Sequence, residues 1–348
     1  MKRQGTAYDV GTVFGLGMST RPHFSPDVVR RELEIIRRDL HCNAVKIGGR
    51  DPERIATAAT YAMDLGLEVW FSPCLFDRSP TETLAYVTQA AGVAERVRAR
   101  SNGTVVFSVG QELILFMKGI LPGRGILQRL HNPASREILR AGKQRAPLNA
   151  FLADASAAVR RVFHGPVTYA SLPFEGVDWS PFDFAGVDHY WDVRVQDRYL
   201  EMLQPFFASG KPVIVTGTGS RAYRGAHSTG TLGLGIIDFK SQFLHSLPVI
   251  GRFVRPHLKE GVYVRDEAAQ ARQLTAVLGL LDGAGVEGVF LDTFVDYISP
   301  YAEEPHYDLD MSSLALVKMF EHRHGSTYPD MPWEPKEAFR AVAAFYGK

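Results

Sequence analysis

The sequence predicts a (β/α)₈ TIM barrel built as a single domain, with long loops after strands 4 and 7. Three observations predict it. Short runs rich in β-branched residues alternate with longer segments of helical periodicity along nearly the whole chain, the pattern of a parallel sheet with helices outside it. Eight such units can be counted. The length, 348 residues, is one that α/β barrels with insertions use as one unit.

Strands are expected near Thr6–Val10, Asn43–Ile47, Glu68–Ser72, Thr104–Val109, Val167–Ser171, Phe184–Asp188, Pro212–Thr216 and Gly288–Thr293. Helices are expected over Pro26–Leu40, Pro52–Leu65, Pro80–Arg100, Leu148–Phe163, Asp197–Ala208, Asp266–Gly283 and Glu334–Tyr346. Ser25-Pro26, Asp51-Pro52 and Ser79-Pro80 each put a capping side chain before a proline at the first helical position, which marks three helix starts. About 38 residues separate strand four from its helix and about 48 separate strand seven from its helix. Both connections leave strand C-termini, the face on which barrel enzymes keep their sites. The second is glycine-rich and carries Arg221, Arg224 and His227, as a mobile lid would. Its string Gly230-Thr231-Leu232-Gly233-Leu234-Gly235 follows no strand and opens no helix, so it reads as flexible loop and not as a phosphate cradle.

Apolar residues at 45% and charged residues at 22% imply a large core and argue against disorder. A net charge of +1 supplies no long-range field to gather nucleic acid or an anionic membrane, so neither is expected as a partner. With no apolar signal segment after the first residues and no run of about 18 apolar residues, a cytoplasmic protein is expected. Cys42 and Cys74 then read as buried thiols.

Side chains at the strand C-termini of a parallel barrel converge on one mouth. Here they include Asp9, Lys46, Gln111, Glu112, Tyr169, Asp188, His189, Tyr190, Thr216, Asp292 and Asp296. A partly desolvated carboxylate near other carboxylates has its pKa pushed toward neutrality, which suits a general acid. Glu112, Asp188, His189 and Asp292 are the catalytic candidates; Asp9, Lys46, Gln111, Tyr169, Tyr190 and Asp296 are the substrate-binding ones. Tyr169, Tyr190, Trp191 and Tyr297 are placed either to stack on a sugar ring or to pack the core. Lys46 has two readings, a Schiff-base amine and an ion-pair partner of a mouth carboxylate. No His-x-Glu, His-x-x-x-His or Cys-x-x-Cys pattern occurs, so neither metal nor cofactor is invoked.

Val109-Gly110-Gln111-Glu112 after strand four and Gly210-Lys211-Pro212-Val213-Ile214-Val215-Thr216 through strand seven resemble the clan of retaining barrel glycosidases. More closely, the chain resembles a bacterial family labelled abortive-infection proteins. That likeness runs almost end to end, through Tyr8-Asp9-Val10-Gly11-Thr12, Gly119-Ile120-Leu121-Pro122-Gly123, Asp178-Trp179-Ser180-Pro181-Phe182-Asp183 and Trp333-Glu334-Pro335-Lys336-Glu337-Ala338-Phe339. The resemblance to the glycosidase clan implies that Glu112 is the acid/base and that the nucleophilic Glu stands after Thr216. That position holds Gly217, and Gln111 replaces the Asn usual before the acid/base. The resemblance also implies neutral residues at positions 188 and 292, so carboxylates there point to a rebuilt site.

The expectation is an enzyme acting on a sugar or sugar-bearing small molecule, with Glu112 as proton donor or acceptor. Asp188 or Asp292 would act as base in an inverting arrangement with carboxyls about 6.5–9.5 Å apart, or as a relocated nucleophile at about 5 Å. Two other readings keep the barrel: an isomerase, lyase or cyclase working by proton transfer, and a catalytically inactive carbohydrate-binding protein.

Overall fold

The computed structural model describes residues 1–14, 18–100, 103–247 and 249–348, with only the backbone of Thr231. Eight parallel strands close into a barrel: β1 (Arg3–Asp9), β2 (Ala44–Gly49), β3 (Glu68–Pro73), β4 (Val105–Gln111), β5 (Val167–Ser171), β6 (Ala185–Asp188), β7 (Val213–Thr218) and β8 (Gly288–Leu291). Closure comes from β1 pairing with both β2 and β8, Thr6 lying beside Val45 on one side and Leu291 on the other. The expected strands are all present, shifted by at most three residues at either end.

The first three helices, α1 (Pro26–Arg38), α2 (Pro52–Asp64) and α3 (Pro80–Arg98), start where their caps place them. Ser25 accepts from the Val28 amide, Asp51 from the Glu53 amide, and Ser79 with Glu82 closes a reciprocal capping box. α4 (Arg145–Arg160) precedes β5, α5 (Glu267–Gly283) precedes β8, and α6 (Glu337–Tyr346) ends the chain.

The second half departs from the expectation in places. The helix expected over Asp197–Ala208 is two 3₁₀ turns, Gln196–Arg198 and Glu201–Leu203, followed by the single turn Gln204–Phe207. Pro205 stops a helix from running through from Glu201, since a proline has no amide to continue it and its ring clashes one turn back. Trp333–Pro335 is likewise not helix; it pairs antiparallel with Val317–Met319. The long connections are built of short pieces: Leu113–Phe116, Ile126–His131 and Pro133–Arg140 after β4, and the 3₁₀ stretch Gly230–Ile236 with the helix Phe239–His245 after β7. The glycine string expected as open loop therefore coils.

At the N-terminal end the barrel is plugged by Ala44, Trp70, Val106, Phe184, Ile214 and Phe290. Trp70 stands 5.2 Å from Phe184 and 5.0 Å from Phe290, ring centre to ring centre. Gly5 makes room for this plug, because a Cβ there would lie 2.5 Å from the Phe290 ring. The interior is thus a packed core, and only the opposite end is free to hold a site. Cys42 and Cys74 are both buried and unbridged.

Three ladders slip register near their C-terminal ends: β4 with β5 between Ser108 and Gln111, β6 with β7 between Val187 and Asp188, and β7 with β8 between Val289 and Leu291. Such irregularities turn side chains out of the regular alternation. They involve the five strands β4 to β8, four of which lead to Glu112, Asp188, Gly217 and Asp292.

Candidate active site

β4 ends at Gln111 and the chain turns at once. Glu112 has a left-handed backbone (φ 44°, ψ 43°) and opens the one-turn helix Leu113–Phe116. For a residue with a Cβ this conformation costs on the order of 1–3 kcal/mol and persists only where neighbours hold it. Here they do: the Glu112 amide donates to the Ala170 carbonyl at 2.8 Å, the Leu113 amide to the Tyr169 hydroxyl at 2.7 Å and the Ile114 amide to the Glu175 carboxylate at 3.4 Å. Tyr169 in turn donates to Glu175 at 2.8 Å, and the Leu172 amide donates to it at 3.2 Å. Glu175 was not among the expected residues. It lies in the Leu172-Pro173-Phe174-Glu175-Gly176 turn, which has the composition of a surface loop, yet its side chain is fully buried. The available signal was a carboxylate four residues beyond a strand end, amid apolar neighbours.

At β7 the arrangement is the reverse. Gly217 lies beside Asp188 in the β6–β7 ladder, and a Cβ on it would sit 2.8 Å from Asp188 Oδ1 and 2.9 Å from Asp292 Oδ2. Two carboxylates therefore converge on the point where a side chain from β7 would begin. Thr216 donates its hydroxyl to Asp188 at 2.6 Å, and Tyr190 donates its hydroxyl to Asp292. Lys46 donates to the Thr216 carbonyl at 2.6 Å and lies 3.9 Å from Asp292 Oδ1. Asp188 is 5% exposed whereas the Asp292 side chain is 22% exposed, so Asp292 is the more accessible of the pair. The Asp292–Thr293 peptide is cis.

Burial pushes Glu112 well above the usual carboxylate range, and repulsion from Asp188, Glu175 and Asp292 adds to it, against a smaller opposing pull from Lys46. Glu112 is thereby biased toward its protonated form. Its carboxyl makes no hydrogen bond or ion pair among the described residues; Lys46 is engaged elsewhere, and Arg21 bridges Glu32 at 2.8 Å. Burial also raises Asp292, with Lys46 opposing and Asp188 reinforcing. Burial alone would lower Lys46, but the Asp292 and Asp188 carboxylates outweigh it and leave the ammonium group above its ordinary value. The Lys46 amine is thus a held cation in an ion pair, not a free nucleophile.

The structure brings Glu112, Asp188, Asp292, Lys46 and Tyr190 together and sets other expected residues apart. His189 follows Asp188, so its ring lies on the other side of the strand, stacked on Tyr199 at 4.0 Å with Nε2 donating to the Tyr199 carbonyl at 2.7 Å. Burial lowers it to about 4, so it is neutral. Tyr169, expected on the substrate, is wholly buried and bonded to Glu175 and the Leu113 amide. Asp9 is also committed: its carboxylate accepts from the Gly11 and Thr12 amides and from the Thr12 and Thr20 hydroxyls, folding the loop after β1. Asp296 accepts from the Ile298 amide at 3.1 Å, and burial raises it. Tyr297 donates to Glu32 at 2.6 Å within the Arg21 cluster, and Trp191 packs partly buried against the core. Gln111 stays partly exposed, its side-chain amide without a hydrogen bond among the described residues. In the loop after β7, Arg221 is buried and donates to the Ser312 and Gly230 carbonyls. Among the described residues no group of three or more His, Cys, Asp or Glu side chains is arranged to hold a metal ion.

No family model and no curated protein matches the sequence. Solved structures do match in fold. A GH113 β-1,4-mannanase superposes with a TM-score of 0.60 at 14% identity, over 100% of this chain and 99% of its own. The β-glucuronidase of Parabacteroides merdae gives 0.58 at 13% identity over 100% of this chain and 39% of its own, and that of Ruminococcus gnavus 0.57 at 13% over 99% and 49%. At such identities the shared property is architecture, and the chain has the (β/α)₈-barrel fold that it shares with these structures.

Proposed function

We propose that this protein is an enzyme acting on a sugar or sugar-bearing small molecule, with Glu112 as its general acid/base. One observation carries the reading: a carboxyl at the end of β4, unpaired among the described residues and raised above its ordinary range, shares its surroundings with two carboxylates that fill the place of the absent β7 side chain. The fold, shared with sugar-cleaving enzymes, and the motif resemblance to the clan of retaining barrel glycosidases support the same lineage.

In this reading Glu112 delivers its proton to the departing glycosidic oxygen, and Asp292 is the base that draws a proton from the attacking water. Tyr190 and Lys46 hold Asp292 in place and stabilise its charge, while Asp188, the deeper carboxylate, adds to the upward shift that burial gives Glu112. Gln111 and Tyr190 bind substrate hydroxyls. This is single displacement with inversion, which needs the two carboxyls about 6.5–9.5 Å apart. A second reading rests on the 2.9 Å between Asp292 and the would-be Cβ of Gly217, which puts Asp292 close to the usual nucleophile's station and suits direct attack on the anomeric carbon. Peptide mapping after a mechanism-based glycosidase reagent separates the two: an adduct on Asp292 assigns the covalent route, and an unlabelled protein assigns inversion.

The test of the reading itself is a panel of aryl glycosides turned over by wild type and by Glu112→Gln, which keeps volume and hydrogen-bonding reach but cannot donate the proton. Turnover should fall by about 10²-fold or more with the thermal midpoint unchanged. Full activity in Glu112→Gln would remove Glu112 from the chemistry. Sugar binding by wild type without turnover of any substrate would make the protein a binding module.

A further inference from the structure

The longest connection of the barrel, residues 219–266 between β7 and α5, carries a surface unlike the rest of the molecule. Nine of the sixteen large apolar side chains that are exposed among the described residues fall between positions 232 and 264, so the exposure is concentrated and not the scatter normal for a soluble surface. The segment is compact. Ile237 and Leu258 bridge its two ends, and the helix Phe239–His245 is clasped to the returning chain by His245, whose Nδ1 lies 2.8 Å from the Val254 carbonyl. Phe239 and Phe243 sit one turn apart on that helix, and Val249, Ile250 and Phe253 follow at the tip, Phe253 being 86% exposed.

The charge of the same segment is equally one-sided. Residues 239–259 hold Lys240, Arg252, Arg255 and Lys259 together with His245 and His257, and neither Asp nor Glu, in a chain whose net charge is +1. The four Lys and Arg side chains make no ion pair among the described residues, and Arg255 lies over the Tyr307 ring at 4.2 Å. The flanking acid Asp238 is paired with His257 at 3.3 Å and caps its own helix. Glu260 stands just outside the segment.

We propose that this segment is a membrane-docking surface that seats on an anionic lipid bilayer. An apolar tip interleaved with unpaired cations matches the two layers such a bilayer offers, acyl chains for the Phe, Val and Ile side chains and anionic headgroups for the Lys and Arg. A folded protein partner would have to supply apolar shape complementarity and a set of acids in register; a bilayer supplies both with no register at all. Among the described residues no helix is long and apolar enough to cross a membrane, so the contact is peripheral. Because the segment leaves the C-terminal end of β7, it would bring the carboxylate-bearing end of the barrel toward the lipid. The proposal stands on the patch alone and does not depend on the chemistry assigned to Glu112.

Co-sedimentation of the full chain with vesicles tests it. Wild type should pellet with phosphatidylcholine vesicles containing phosphatidylglycerol and stay in solution with phosphatidylcholine alone. It should be released near 1 M salt, where the Debye length falls to about 3 Å. Val249→Ser with Phe253→Ser, and separately Arg252→Gln with Arg255→Gln, should each weaken the partition by about tenfold or more while leaving the thermal midpoint in place, since all four side chains are exposed or half-exposed. Wild type remaining in solution with both vesicle types would overturn the proposal, as would equal binding to neutral and anionic vesicles. A concentration-dependent dimer in sedimentation velocity that Val249→Ser with Phe253→Ser dissolves would also overturn it, by assigning the patch to a second copy of the chain.

Discussion

The ends of β4 and β7 stand at the same mouth and solve opposite problems. At β4 the chain accepts a strained left-handed backbone at Glu112 and surrounds it with Tyr169, Glu175 and the Ala170 carbonyl, all to hold one carboxyl in place. At β7 it presents no side chain, and Asp188 and Asp292 lean in from the neighbouring strands to within 3 Å of where one would begin. The comparison teaches that the vacancy at Gly217 is filled space, not an open slot. Carboxylates from the adjoining strands occupy the place of a β7 side chain, and Glu112 at β4 feels both of them as negative neighbours.

The largest effect should follow from Gly217→Glu. On an open slot this substitution would create the usual nucleophile, but here its Cβ meets two carboxylate oxygens below 3.0 Å and its own charge becomes the third in the pocket. Unfolding free energy should drop by about 3–5 kcal/mol in urea titration, with no gain of glycoside turnover. Adding Asp292→Ala removes one obstruction and one charge and should recover a good part of the loss. A Gly217→Glu protein as stable as wild type would break the comparison, because it would mean that the space at β7 is free.

Next in size is Lys46→Met. The ammonium group is the cation that offsets Asp292 and Asp188, and it satisfies the Thr216 carbonyl. Removing one partner of a buried pair leaves the other charge uncompensated, at a cost of about 3–5 kcal/mol. Without that pull Asp292 should titrate higher, so in any active variant the acidic limb of the rate profile should move to higher pH. An unchanged acidic limb would detach Lys46 from Asp292.

How much of this was legible in the chain depends on how local each cause is. The starts of α1, α2 and α3 are written in Ser25-Pro26, Asp51-Pro52 and Ser79-Pro80, because a cap and a fixed proline angle act within one turn. The break at Pro205 was equally local and could have been read from its missing amide. Glu112, Asp188, Lys46, Tyr190 and Asp292 were legible because a parallel barrel sends its strand C-termini to one mouth. Alternation along β6 would already have separated His189 from Asp188 and kept Tyr190 with it. The register slips between strands were not legible, since they arise from how neighbouring strands meet. Glu175 was hidden for a similar reason, its role depending on a turn from β5 folding under a turn from β4.

The smallest expected effect concerns that residue and is the most specific to the β4 side. Burial pushes Glu175 up to about 8 from an ordinary 4.5, and Glu112 counts it among the charges that raise its own pKa. Between those two values the folded protein holds a proton that the unfolded chain has released, so stability falls as pH rises from about 4.5 through about 8 and levels off above. Glu175→Gln removes the titration while its amide oxygen can still accept from the Ile114 amide or the Tyr169 hydroxyl. Its unfolding free energy should therefore be flatter with pH across that window, by on the order of a few kcal/mol at the alkaline end. Above about pH 8, where Glu175 is charged, the same substitution takes away a negative neighbour, so Glu112 should lose its proton earlier there and the basic limb should move down by up to about one pH unit. The plateau rate on the acidic side should stay in place, because the clamp on the Glu112 backbone survives. A plateau that collapses while the limb stays put would make Glu175 only a strut for the turn, and would leave Asp188 and Asp292 as the groups that set the acid at β4.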